Sequence, residues 1–137
     1  MTIEISEIAI GAVAYFDVLT INANPSIDKP PRPTPRNGPF LCVQVIGDKS
    51  TWTALTWTAR PERLYIEPEW RERGTAAWNR GTPYISDGAN TYIGPNAEFS
   101  AASTTADTYR PETRQWVNSD GIAAALKYIQ ERGGALQ

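Results

Sequence analysis

Histidine is absent from the 137-residue chain. That removes Ser-His-Asp and Cys-His nucleophilic machinery, imidazole general bases and His-ligated metals. Cysteine occurs once, at Cys42, which forbids an internal disulfide and leaves zinc or iron–sulfur sites of the usual kinds without ligands. Its apolar neighbours read Cys42 as a small buried hydrophobe rather than a reactive thiol. No run approaches the roughly 18 consecutive apolar residues of a membrane span. The N-terminal MTIEISEIAI carries two acids and no basic region, unlike a secretory signal. The expectation is a cytoplasmic protein with no membrane partner, and no cofactor is called for. A basic excess is missing too. The net charge of −2 argues against a sequence-blind nucleic-acid binder, yet leaves room for a local basic patch. Any catalysis would rest on Arg, Lys, Asp, Glu, Tyr, Ser or Thr.

What is present is an ordinary globular composition, 41% hydrophobic and 20% charged, on a chain long enough for a real core. Residues 1–137 read as one domain, with no internal repeat and no dividing linker. Its most informative stretch is Asn24 to Pro39, which holds six prolines with Lys29, Arg32 and Arg36 against one acid, Asp28. Prolines cannot donate to a ladder and stiffen the chain in extended forms. A long loop between strands of a compact domain is usually functional or disordered.

On either side lie strand-like runs. Gly11 to Ile21 is apolar on both alternating faces, as in a central or barrel strand. Asp17 is its odd residue, read as bonding backbone or solvent at a bend. Phe40–Ile46 and Thr51–Thr58 flank Gly47-Asp48-Lys49-Ser50 and form a hairpin. Trp52 and Trp57 fall on opposite faces of its second strand, so one belongs to the core and the other is at least partly exposed. Shorter strands follow at Leu64–Ile66, Thr82–Ser86 and Thr91–Ile93, with a weaker one at Glu98–Ala101. WRERGTAAWNRG has room for a turn or two of helix. Ser103 to Thr113 reads as a polar loop. A helix closes the chain, with Asn118, Ser119 or Asp120 as N-cap, Gly133-Gly134 as the stop, and an apolar stripe of Ile122, Ala125, Leu126 and Ile129. The fold class is mainly β with a C-terminal helix (α+β), either a small SH3-like barrel or a strongly bent antiparallel sheet.

In this order of elements the chain resembles the PemK/MazF-like group, SH3-like barrels with added helices. The matching pieces are Gly11–Phe16 for the opening strand, Arg36–Val43 for the second, Thr53–Thr58 for the third and Asp120 through Ile129 for the closing helix. It departs from the pattern in four ways. Arg36 is separated from Pro39 by two residues instead of abutting a proline, the first loop is proline-rich, the chain is acidic overall, and Glu67–Gly81 has no counterpart. The resemblance implies a toxin-like, metal-independent endoribonuclease acting on single-stranded RNA, with an antitoxin as protein partner and a homodimer open. It assigns Arg36 to stabilise charge on the reacting phosphate, and Thr56 or Thr58 to orient that phosphate. Without it, Arg36 reads as a solvated loop charge and the threonines as ordinary strand residues.

Two further constellations carry candidate chemistry. Arg60, Arg63, Arg71, Arg73 and Arg80 interleave with Tyr65, Trp70 and Trp78, a mixture that suits unpaired bases or a protein–protein hot spot. Across residues 60–80, five arginines face four glutamates, so a salt-bridged surface with Trp anchors in the core is the favoured account. Arg32, Arg60, Arg63, Trp70, Arg73 and Trp78 are the candidate binding residues, for RNA or, with the proline loop, for a protein target. Tyr84, Asp87, Asn90, Tyr92 and Asn96 form a polar-aromatic run, read as sugar or peptide binding or as hairpin turn chemistry.

Overall fold

The computed structural model describes residues 2–103, 107 and 109–137. Eight strands and four helices follow one another: β1 (Val13–Phe16), α1 (Val18–Ala23), β2 (Gly38–Ile46), β3 (Lys49–Thr56), β4 (Leu64–Tyr65), β5 (Arg71–Glu72), α2 (Ala76–Arg80), β6 (Tyr84–Ile85), β7 (Thr91–Pro95), α3 (Asn96–Ala102), β8 (Trp116–Val117) and α4 (Ser119–Glu131). The architecture is α+β. β2 and β3 make the hairpin expected from the sequence, closed by Gly47-Asp48 with Ile46 opposite Lys49 and Gly47 at φ 62°. A bulge between Cys42 and Gln44 bends β2.

The main sheet runs β1-β2-β3-β6-β4, all antiparallel, and the far edge of β3 is divided. Lys49–Thr53 pairs with β7, and Leu55–Thr56 pairs with β6. Among the described residues no pairing joins β1 to β4, so the sheet stays open and the SH3-like barrel expectation gives way to its alternative, an antiparallel sheet. The reason lies in how its faces are covered. Alternation along β1, β2 and β3 sends Ala14, Phe16, Phe40, Cys42, Trp52 and Ala54 to one face, into a core completed by Val18, Ile21 and Phe99 of α1 and α3. Val13, Leu41, Val43 and Leu55 go to the other face, into a core with Trp78, Ile122, Ala125 and Ile129 of α2 and α4. A sheet apolar on both sides is satisfied by a helical layer on each, without closing on itself. Phe16 sits at the centre of the first core, its ring 4.8 Å from Trp52 and 5.4 Å from both Phe40 and Phe99.

Two segments differ from the sequence expectation. The run Gly11 to Ile21 is not one strand, because the chain leaves the sheet after Phe16. Asp17 Oδ1 accepts the Leu19 N–H at 3.1 Å, capping α1, whose Val18 and Ile21 face the core. Glu98–Ala101 is not a strand but part of α3, which buries Phe99 and Ala102. In the Ser103–Thr113 loop, residues 104–106 and 108 lie outside the described residues. Asp107 is buried against Arg114, and Pro111–Thr113 forms a 3₁₀ turn. α4 is capped by Asn118, which accepts from Gly121 N at 3.0 Å. It ends where Gly133, at φ 77°, donates to Gln130 O and Gly134 donates to Ile129 O. No helix among the described residues is long and apolar enough to cross a membrane.

Candidate functional site

The proline-rich loop is tied to the sheet along its length. Ile27 is buried in the first core, and Asp28 forms an isolated bridge to Ile93, with N···O distances of 2.7 and 3.0 Å. Farther on, Tyr92 Oη accepts the Thr34 N–H at 2.9 Å and donates to Asn22 Oδ1 at 2.9 Å, while Asn22 Nδ2 donates to Thr34 O at 3.0 Å. Burial pushes the Tyr92 hydroxyl above its ordinary pKa, against the lowering effect of the Thr34 bond. Asn90 Nδ2 donates to Arg32 O at 2.7 Å, and Asn37 Oδ1 accepts from Val18 N at 2.8 Å. Arg32 and Arg36 of this loop stay exposed.

Between this loop and the end of β3 lies a cleft of two adjoining lobes that share Thr34, Pro35, Ala54, Arg60, Arg63 and Ser86. The first lobe, about 580 Å³, is lined by Arg36, Thr56 and Thr58 with Arg60, Arg63, Tyr15 and Trp57, and holds no carboxylate. Because β2 and β3 run antiparallel with Phe40 opposite Ala54, the start of one and the end of the other lie at the same end of the sheet. That juxtaposes Arg36 with the threonines. The second lobe, about 530 Å³, adds Arg32, Arg132, Tyr128, Asn90, Glu62 and Asp87. Five arginines therefore meet two carboxylates in one cleft of an acidic protein. The ion pairs among the described residues are Arg114–Glu7 and Arg114–Asp107, so none of the cleft arginines is paired there.

Arg63 is held as a wall of the cleft, its Nε donating to Ser86 O at 3.1 Å and Nη1 to Thr58 O at 2.7 Å. Thr56 Oγ1 accepts from Thr58 N at 3.4 Å, which leaves its own proton free to donate. Trp57 is 41% exposed and stands edge-on to buried Trp78, with centroids 6.3 Å apart. Its seat requires glycine at position 81, where a Cβ would lie 2.6 Å from the Trp57 ring. Convergent guanidiniums beside hydroxyls and an exposed indole can bind a phosphate oxyanion and stack a flat ring.

Three of the candidate binding residues lie elsewhere. Trp78 is wholly buried in the second core and offers no face to a ligand. Trp70 is half-buried against the same core, and its carbonyl accepts from Asn118 N at 2.8 Å. Arg73 stands 4.2 Å over the Trp116 ring at a strained φ of 53°. Their neighbour Arg71 is buried too. Its Nη1 reaches Trp78 O at 2.7 Å and Gly81 O at 2.8 Å, where a cation suits the carbonyl end of α2. The Arg/Trp segment is thus a small structural unit, not a single binding face.

The polar-aromatic run splits likewise. Asp87, Asn90 and Tyr92 reach the cleft, whereas Tyr84 packs against Tyr65 with the rings tilted and centroids 5.2 Å apart, and Asn96 is buried in α3. Tyr15, Tyr128 and Arg132 were not legible as site residues, since each comes from an element assigned a packing role. The one available signal is Arg132, the basic residue at the C-cap of the closing helix. Among the described residues no group of three His, Cys, Asp or Glu side chains is placed to hold a metal ion. Comparison with protein-family models, with curated proteins and with solved structures finds no match to this chain.

Proposed function

We propose that the chain is a PemK/MazF-like endoribonuclease that binds single-stranded RNA in this cleft and cleaves it without a metal. The observation that carries the reading is the convergence of Arg36, Arg60 and Arg63 with Thr56 and Thr58 in a lobe free of carboxylates. A phosphodiester brings the negative charge that this lobe lacks. In the proposed step the ribose 2′-oxygen attacks the adjacent phosphorus and the P–O5′ bond breaks. The 2′-hydroxyl proton passes to water, and the departing 5′-oxygen takes one from water. Products are a 2′,3′-cyclic phosphate and a 5′-hydroxyl. Arg36 neutralises the charge that builds on the phosphorane oxygens, a contribution of this kind being worth about 10²–10³ in rate. Thr56 or Thr58 donates to a non-bridging oxygen, and Trp57 offers an indole on which a neighbouring base stacks. The test is incubation with a mixed-sequence single-stranded RNA in EDTA, followed by analysis of the ends. Cyclic phosphate termini support the reading, and intact RNA counts against it.

A second reading, a non-enzymatic module that binds a protein through the proline loop, is favoured by one observation. Pro31, Pro33 and Pro35 are exposed on a segment fixed at Asp28 and Thr34, which lowers the entropy lost on docking. A partner retained on the wild-type chain and lost with Pro31→Ala/Pro33→Ala would select it.

A further inference from the structure

The second lobe of the cleft differs chemically from the first, and the difference matches a base rather than a phosphate. Its acceptors are held in place. Asp87 Oδ1 accepts the Ala89 N–H at 2.9 Å, which fixes the carboxylate in its turn and leaves Oδ2 unengaged among the described residues. Asn90 spends its amide nitrogen on Arg32 O at 2.7 Å, so its Oδ1 is left as an acceptor. Opposite in character are the guanidiniums of Arg32 and Arg132, the latter 5.0 Å over the Tyr128 ring. Tyr128 is in turn tied to the Glu62 carbonyl through its hydroxyl. The lobe therefore offers the adjacent acceptors of Asp87 and Asn90, with Glu62 as a second carboxylate on its wall, together with cationic donors.

Of the four RNA bases, guanine alone presents two neighbouring donors, N1–H and the N2 amino group, beside two acceptors, O6 and N7. A carboxylate takes the first pair and a guanidinium the second. Uracil has a single donor between two acceptors. Adenine and cytosine place one amino group next to a ring acceptor, which Asp87 would repel. We infer that the second lobe is a guanine-selecting subsite, with Asp87 and Asn90 reading the Watson–Crick edge and Arg32 or Arg132 the O6/N7 edge. This rests on the RNA reading of the cleft and adds its base preference.

The experiment uses fully 2′-O-methylated oligonucleotides, which bind but cannot undergo 2′-hydroxyl attack. An all-uridine strand is compared by fluorescence anisotropy with strands carrying one G, one A or one C. The G strand is expected to bind about tenfold or more tighter than the A and C strands. Asp87→Asn keeps an oxygen for the Ala89 N–H, and is expected to abolish the preference for the G strand over the A and C strands. Equal affinity for the three substituted strands would overturn the guanine subsite and leave the RNA reading standing. A preference that survives in Asp87→Asn would overturn the role given to that carboxylate. Failure of every strand to bind would overturn both.

Discussion

The hydroxyl of Tyr92 holds the backbone of Thr34 at 2.9 Å across 58 residues of sequence, joining the outer strand of the sheet to the middle of the proline-rich loop. The same oxygen donates to Asn22, so one side chain fixes the loop and the end of α1 together. Tyr92→Phe keeps the ring, which packs edge-on to Phe40 at 5.7 Å, and removes only the oxygen. The expected cost is about 1–3 kcal/mol, since the Thr34 N–H and Asn22 Oδ1 lose a buried partner. Urea denaturation gives the loss, and hydrogen exchange should show faster exchange at Thr34. An unchanged exchange rate there would mean that the loop is held by other ties.

A second cross-chain device is the buried pair Arg114–Asp107, bidentate at 2.7 and 3.1 Å, with Arg114 also donating to Val13 O and Asp107 accepting from Tyr15 N. Removing Asp107 leaves buried Arg114 with Glu7, at 3.3 Å, as its remaining charged partner. Asp107→Leu should destabilise by about 3–5 kcal/mol, and Asp107→Leu/Arg114→Met by clearly less. Chemical denaturation of the two variants compares them directly. Equal losses would show that the pair is not coupled.

Cys42 is wholly buried, its Sγ bonding Gln44 O at 3.4 Å, and burial pushes its thiol up to about 12. The thiolate is the reactive form, so alkylation by iodoacetamide at pH 8 should be negligible in the native protein and fast in urea. The sign of the pH dependence follows. Because the folded value lies above the ordinary thiol value of 9.0, the contribution to stability is full below pH 9 and is lost as the pH rises toward 12. Rapid native alkylation at pH 8 would contradict this burial.

Trp57 and Trp78 touch each other but should behave oppositely. Trp57→Ala is expected to weaken single-stranded RNA binding by about 1–3 kcal/mol with little change in stability. Trp78→Ala is expected to cost about 3–5 kcal/mol of stability, because a fully buried indole leaves a large cavity. Binding and melting curves on both variants separate the roles. Matching stability losses would remove Trp57 from the site.

Local signals made part of this molecule readable. The hairpin follows from β-formers around Gly47-Asp48, and the closing helix from its stripe and its Asn118 and Gly133 ends. The sequence reads Asp17 as bonding backbone or solvent at a bend, and nothing local marks it as a helix cap. Val18, Leu19 and Ile21 fit a strand as well as a helix turn, and only the core that receives Val18 and Ile21 decides between them. Phe99 poses the same ambiguity in α3. The open sheet was equally hidden, since apolar faces on both sides serve a barrel or a helix-covered sheet alike. At the cleft, Arg36 with Thr56 and Thr58, and Arg32 with Arg60 and Arg63, are candidates from the sequence that the fold brings to one cleft. Trp70, Arg73 and Trp78 do not join them, because spacing alone cannot tell a stacking platform from a core anchor.

The central claim is that Arg36 stabilises charge on a phosphate undergoing cleavage. Single-turnover cleavage of a single-stranded RNA in EDTA, wild type against Arg36→Ala, tests it most directly. Both proteins should melt alike, since Arg36 is exposed and makes no ion pair among the described residues. The account predicts a rate about 10²–10³ lower in the variant, with cyclic phosphate ends in both. Cleavage at the wild-type rate by a folded Arg36→Ala protein would contradict it.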